Sequence, residues 1–125
     1  MQLSHKTKED KNVLTVEKLK AFGANTVEGV ARCVNNETFY LRMVDKAMSD
    51  ANYGKLEIAI HAGDKDAAFE AAHALKGVLS NLSLTPILDP VLEITELLRS
   101  RADADYEAIL SRILAKKSEL TSLAQ

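Results

Sequence analysis

A chain of 125 residues, 46% of them hydrophobic and 27% charged, is long enough to bury a core in a single domain and too apolar to stay unfolded. The net charge of -2 offers no basic excess for a nucleic-acid surface, and no apolar run approaches the roughly 20 residues that span a bilayer. Cys33 is the one cysteine, so no internal disulfide forms, and the charged N-terminus has no apolar stretch of the secretory kind. The expectation is therefore a cytoplasmic monomer that binds neither nucleic acid nor membrane.

Residues 1–12 are polar and aperiodic and predict a flexible tail, leaving 13–125 for one helical domain. Thr15 caps a short helix through Phe22, and Gly23 stops it. Asn25, with Glu28 three residues on, is a capping box for a second short helix reaching about Val34. Asn35 and Asn36 separate it from a helix running to about Ser49. Asp50, Ala51 and Asn52 then break the pattern before a segment that ends at Ala62 and Gly63. Asp64 caps a helix to about Leu82. Thr85 and Pro86 read as a cap and first helical residue for a helix to about Arg101, and Asp103 opens the last one, to about Leu123. Pro90 predicts either a kink or a start delayed to about Asp89.

No stretch alternates long enough to be a strand. The last four long segments are joined by short loops, which turn successive helices back on each other, so the predicted fold is all-α. It is an antiparallel up-and-down four-helix bundle with short N-terminal helices. Ile87, Val91, Ile94 and Leu98 form one apolar stripe; Tyr106, Leu110, Ile113 and Leu120 form another.

On a wheel of about 100° per residue, Ala67, Ala68, Ala71, Leu75, Val78, Leu79 and Leu82 share one arc. His73 falls opposite its centre, flanked by Asp66, Phe69, Glu70, Lys76, Gly77 and Ser80, and is predicted to face solvent. Gly77 lies one turn from the imidazole and adds no side chain over it, although a mid-helix glycine costs about 1 kcal/mol against alanine. Lys76 places a cation near anything bonded to the imidazole. Phe69 is either an exposed anchor for a partner or a ring folded against a neighbouring helix. An exposed histidine alone is ordinarily just a surface residue, and Gly77 alone can serve close packing. His61 sits where the negative end of its helix suits a protonated imidazole. Cys33 and the three histidines lack metal-ligand spacing, and no phosphate-cradling glycine motif is present.

The run Ala72-His73-Ala74-Leu75-Lys76-Gly77-Val78-Leu79-Ser80-Asn81-Leu82 resembles the H-x-L-K-G-x-x-x-x-L-G signature of histidine-containing phosphotransfer (HPt) domains of phosphorelays. The segments Ala21–Asn25, Ala31–Cys33 and Asn36–Tyr40 are similar to bacterial stand-alone members, and the likeness covers about residues 14–123. Ser83 departs from the glycine usual there. The resemblance implies a phosphoprotein of two-component signal transduction, with His73 as phosphoacceptor through Nε2. Lys76 would stabilise the phosphoryl group, and Phe69, Glu70, Gly77 and Ser80 would form the docking face. It implies no cofactor of the chain's own, since Mg2+ and the reactive aspartate belong to a response-regulator receiver domain. A hybrid histidine kinase is a second expected partner, and the chain itself is expected to be no enzyme. Two alternatives stay open: an interaction module that binds receivers or other signalling proteins without carrying phosphate, and the dimerising histidine domain of a sensor kinase.

Overall fold

The computed structural model describes residues 13–124, so the tail expected over residues 1–12, with His5 in it, lies outside the described residues. The helices are α1 (Val16–Phe22), α2 (Thr26–Arg32), α3 (Glu37–Ala47), α4 (Asn52–Ala62), α5 (Lys65–Asn81), α6 (Thr85–Arg99) and α7 (Tyr106–Ser122), and the described residues hold no strand. Most of the caps are those the sequence points to. Thr15, Asn25, Asn36 and Asp64 each accept from a backbone N–H three residues on, and Gly23 closes α1 at φ 112°. The Asn25 side chain also donates to Glu28 Oε2 at 3.2 Å, a side-chain variant of the expected box.

Several boundaries differ from expectation. Helix α2 ends at Arg32 because Val34 and Asn35 take left-handed φ values of 58° and 56°. Helix α6 already includes Thr85, with Leu84 as its cap and no side-chain bond there, and it runs on through a buried Pro90. It therefore does not wait for Asp89. It stops at Arg99, since Arg101 turns left-handed at φ 56°, and Asp105 instead of Asp103 caps α7 by accepting from Ala108 N–H at 3.1 Å. Residues 102–105 are spent on the turn, which Tyr106 fastens by donating its hydroxyl to Ala102 O at 2.6 Å.

Helix α4 packs on α5, α5 on α6 and α6 on α7, and α7 returns to α4, so the four close a ring; α2 touches both α1 and α3. The result is a helical bundle. Its interior takes the expected stripes: Ile87, Val91, Ile94 and Ile113 are fully buried, Leu98, Leu110 and Leu120 nearly so, and Tyr106 is half-buried. Lys18 Nζ reaches Leu123 O at 3.1 Å, joining the first helix to the end of the last. Among the described residues, no helix is long and apolar enough to cross a membrane.

The short helices lock onto the far end of α5 through one close approach. Tyr40, fully buried, donates its hydroxyl to Leu82 O at 2.9 Å. A Cβ on Gly29 would stand 2.5 Å from Tyr40 Cε1 and 2.8 Å from Leu82 O, so only glycine lets α2 pass there. Burial, and then nearby Cys33, push the Tyr40 phenol up to about 12, which keeps it a donor at neutral pH.

Candidate functional site

Gly63, in the left-handed region at φ 71°, ends α4, and Asp64 caps α5, its carboxylate accepting from Ala67 N–H at 3.1 Å. A cap of this kind is worth about 1 kcal/mol. The buried face of the helix is Ala68, Ala71, Ala72, Leu75 and Leu79, continued by Leu82. The buried arc lies about 30° round the helix from the expected one, since Ala67 is exposed and Ala72 is buried. His73 still lies well away from that arc and is exposed, as are Glu70 and Gly77. Lys76, Phe69 and Ser80 are half-buried.

The space beside His73 is open. A Cβ on Gly77 would meet nothing within 4 Å, so this glycine answers no packing demand inside the chain. Among the described residues no carboxylate pairs with Lys76, which leaves its ammonium available to an incoming anion. Phe69 does turn toward the bundle, packing against the core, yet its ring also stacks on the imidazole with centroids 5.7 Å apart and planes 19° from parallel. Arg99, from α6, sits over the same phenyl ring at 5.5 Å from its centroid and is itself held by Glu96 at 3.1 Å. The Phe69–His73 contact is visible in their spacing of one helical turn, whereas nothing in the sequence brings Arg99 to that ring.

Ser80 is half-buried because Arg32 of α2 folds across it, donating to Ser80 O and, at 3.4 Å, to Ser83 Oγ. Arg32 is paired with Glu28 at 2.6 Å, and Ser83 donates its hydroxyl to the same carboxylate at 3.2 Å. Ser83 itself has φ 54°, the left-handed region that favours glycine. That conformation explains why glycine suits this position; serine occupies it with its hydroxyl held by Glu28. Elsewhere, His61 pairs with Glu107 at 3.1 Å across α4 and α7, and Cys33 is buried. The described residues contain no cluster of three or more histidine, cysteine or acidic side chains suited to a metal ion.

Fold and face together define a helical bundle that presents a histidine to solvent from the middle of a long helix. The Hpt domain family model matches residues 46–125, and the chain belongs to the Hpt domain family. Hpt domains act as carriers in histidine phosphotransfer within phosphorelays, working with receiver domains and kinases and not as kinases themselves. No curated protein and no solved structure matches the chain.

Proposed function

We propose that this protein carries a phosphoryl group on His73, exchanging it with the aspartate of a response-regulator receiver domain. The observation that carries the reading is an exposed imidazole in mid-helix beside Gly77, where even a methyl group would meet open space. In the forward step a lone pair of a neutral ring nitrogen, Nε2, attacks phosphorus. An N–P bond forms as the P–O bond to the partner's aspartate breaks, and the aspartate carboxylate leaves with the electron pair. The Nδ1 proton stays on the ring or passes to solvent. Such transfer depends on alignment and charge compensation, so a fixed, accessible histidine suffices on the carrier's side.

Lys76 offsets negative charge on the transferring group. Glu70 and Gly77 form the open part of the docking face, and the exposed edges of Phe69 and Ser80 complete it. The partner supplies the catalytic carboxylates and Mg2+. The supporting scaffold is an antiparallel up-and-down arrangement of α4 to α7 with α1 to α3 at one end, one domain over residues 13–125, working as a cytoplasmic monomer. The phosphoryl group reaches it from a receiver, or from a hybrid histidine kinase that contains one. Incubation with a phosphorylated receiver should add one phosphoryl mass to the intact protein, acid-labile and base-stable. His73→Gln should abolish the addition and leave the helical circular dichroism unchanged. Labelling that persists in His73→Gln refutes the assignment.

A further inference from the structure

We infer that Phe69, braced by Arg99, is a positioning residue that fixes the plane of the His73 imidazole for phosphoryl transfer; this rests on the reading of His73 as phosphoacceptor. A histidine on an open helix surface has two side-chain torsions to lose before a partner can use it. Reactive histidines are ordinarily oriented by a hydrogen bond to one ring nitrogen. Here no hydrogen bond between the described residues holds either nitrogen of His73, and the near-parallel contact with Phe69, at 5.7 Å and 19°, takes that place. The distance lies inside the range over which offset aromatic pairs attract.

The chemistry favours this solution. The lone pair that attacks phosphorus lies in the plane of the imidazole, so a partner on the ring face leaves the in-plane approach clear. A hydrogen bond to the attacking nitrogen would instead have to break first. Phe69 can serve as the reference surface because its own position is set by two elements. Its ring packs against the core from α5, and the Arg99 guanidinium of α6 lies 5.5 Å from its centroid, tethered to Glu96. The orientation of His73 is thereby referred to the α5–α6 packing and not to the torsional preferences of one exposed side chain.

The test compares Phe69→Leu, Phe69→Tyr and Arg99→Gln with the original protein in single-turnover transfer from a phosphorylated receiver at varied concentration. Proton NMR of the His73 ring runs alongside. Phe69→Leu should lose the ring-current shift of the His73 protons and lower the maximal transfer rate about 2- to 10-fold, the size expected when an aromatic contact is lost. Because the exposed edge of Phe69 also borders the proposed docking face, the half-saturating receiver concentration should rise as well, by a smaller factor than the rate falls. Phe69→Tyr should restore both the shift and the rate. Arg99→Gln, a change at an exposed side chain, should move both in the same direction by a smaller factor, with an unchanged melting temperature. A maximal rate in Phe69→Leu equal to the original overturns the inference. So does a defect confined to the half-saturating concentration, which would make Phe69 a docking contact alone. If the original protein takes up no phosphoryl group on His73, the carrier reading itself has failed. If it does, and Phe69→Leu is equally fast, only the positioning role is lost.

Discussion

Under the proposed carrier role, Gly77 separates the demands of folding from those of transfer, with opposite signs expected for the two. Glycine within a helix is less favourable than alanine by about 0.8–1.0 kcal/mol. A Cβ at position 77 meets no atom within 4 Å, so no steric cost is subtracted from that gain. Gly77→Ala should therefore stabilise the protein by about 1 kcal/mol, equivalent to about 3–6 °C in melting temperature for a chain of this size. Gly77→Leu should keep most of the gain, since leucine is nearly as good a helix former, while projecting a branched side chain next to His73. Urea titration followed by circular dichroism gives the stability; single-turnover transfer from one fixed phosphorylated receiver gives the function. The expected pattern is rising stability from glycine to alanine, little change from alanine to leucine, and transfer falling from glycine to alanine to leucine. A stabilised Gly77→Leu protein that transfers at the original rate would falsify the docking argument, and a destabilised Gly77→Ala protein would refute the packing argument beneath it.

Lys76 is half-buried but makes no ion pair among the described residues, so Lys76→Ala should change stability by no more than about 1 kcal/mol, and yet slow transfer; an unchanged transfer rate removes its proposed charge-compensating role. Gly29→Ala should behave oppositely to Gly77→Ala, losing about 1–3 kcal/mol through overpacking, because its Cβ would stand 2.8 Å from the Leu82 carbonyl and closer still to Tyr40. An equal or higher urea midpoint would show that α2 can withdraw. Tyr40 and Tyr53 are both raised by burial above the ordinary phenol value near 10, so above that pH the folded state holds more protons than the unfolded one. Stability should be complete below about pH 10 and fall as pH rises toward the Tyr40 value of about 12. Tyr40→Phe should flatten part of that fall, and identical alkaline slopes of the denaturation midpoint in both proteins would contradict it.

Much of this fold was legible because its punctuation is chemical. Thr15, Asn25, Asn36 and Asp64 cap helices as their side chains require, and Gly23 and Gly63 end helices in the left-handed conformation. The boundaries that slipped were those set by tertiary contacts. Asp103 and Asp105 are equally good caps in isolation, and Tyr106, bonded back to Ala102 and Leu97, decides between them. Pro90 looked like a barrier, yet it lies early in α6 and is buried among the stripe it interrupts. The exposure of His73 could be read from periodicity, and so could its neighbours on the same helix. What helical spacing does not carry is the lateral environment: Arg99 over Phe69, and Arg32 across Ser80, come from other helices.

The Tyr40–Leu82 bond bears on where this domain can be cut. The family match begins at Lys46, inside α3, yet the acceptor at the end of α5 is served by a donor upstream of that point. A fragment starting at residue 46 would retain His73, Lys76 and Gly77 but lose Tyr40, Gly29, Arg32 and the Asn25 N–H bonded to Ser83 O. An orphaned buried carbonyl costs about 1–3 kcal/mol, before the loss of Leu19 and Tyr40 from the core is counted. The matched segment therefore leaves out contacts that hold the end of α5. Substitutions at Asn25, Gly29 or Arg32 would disturb the end of α5 while leaving every residue of the signature in place.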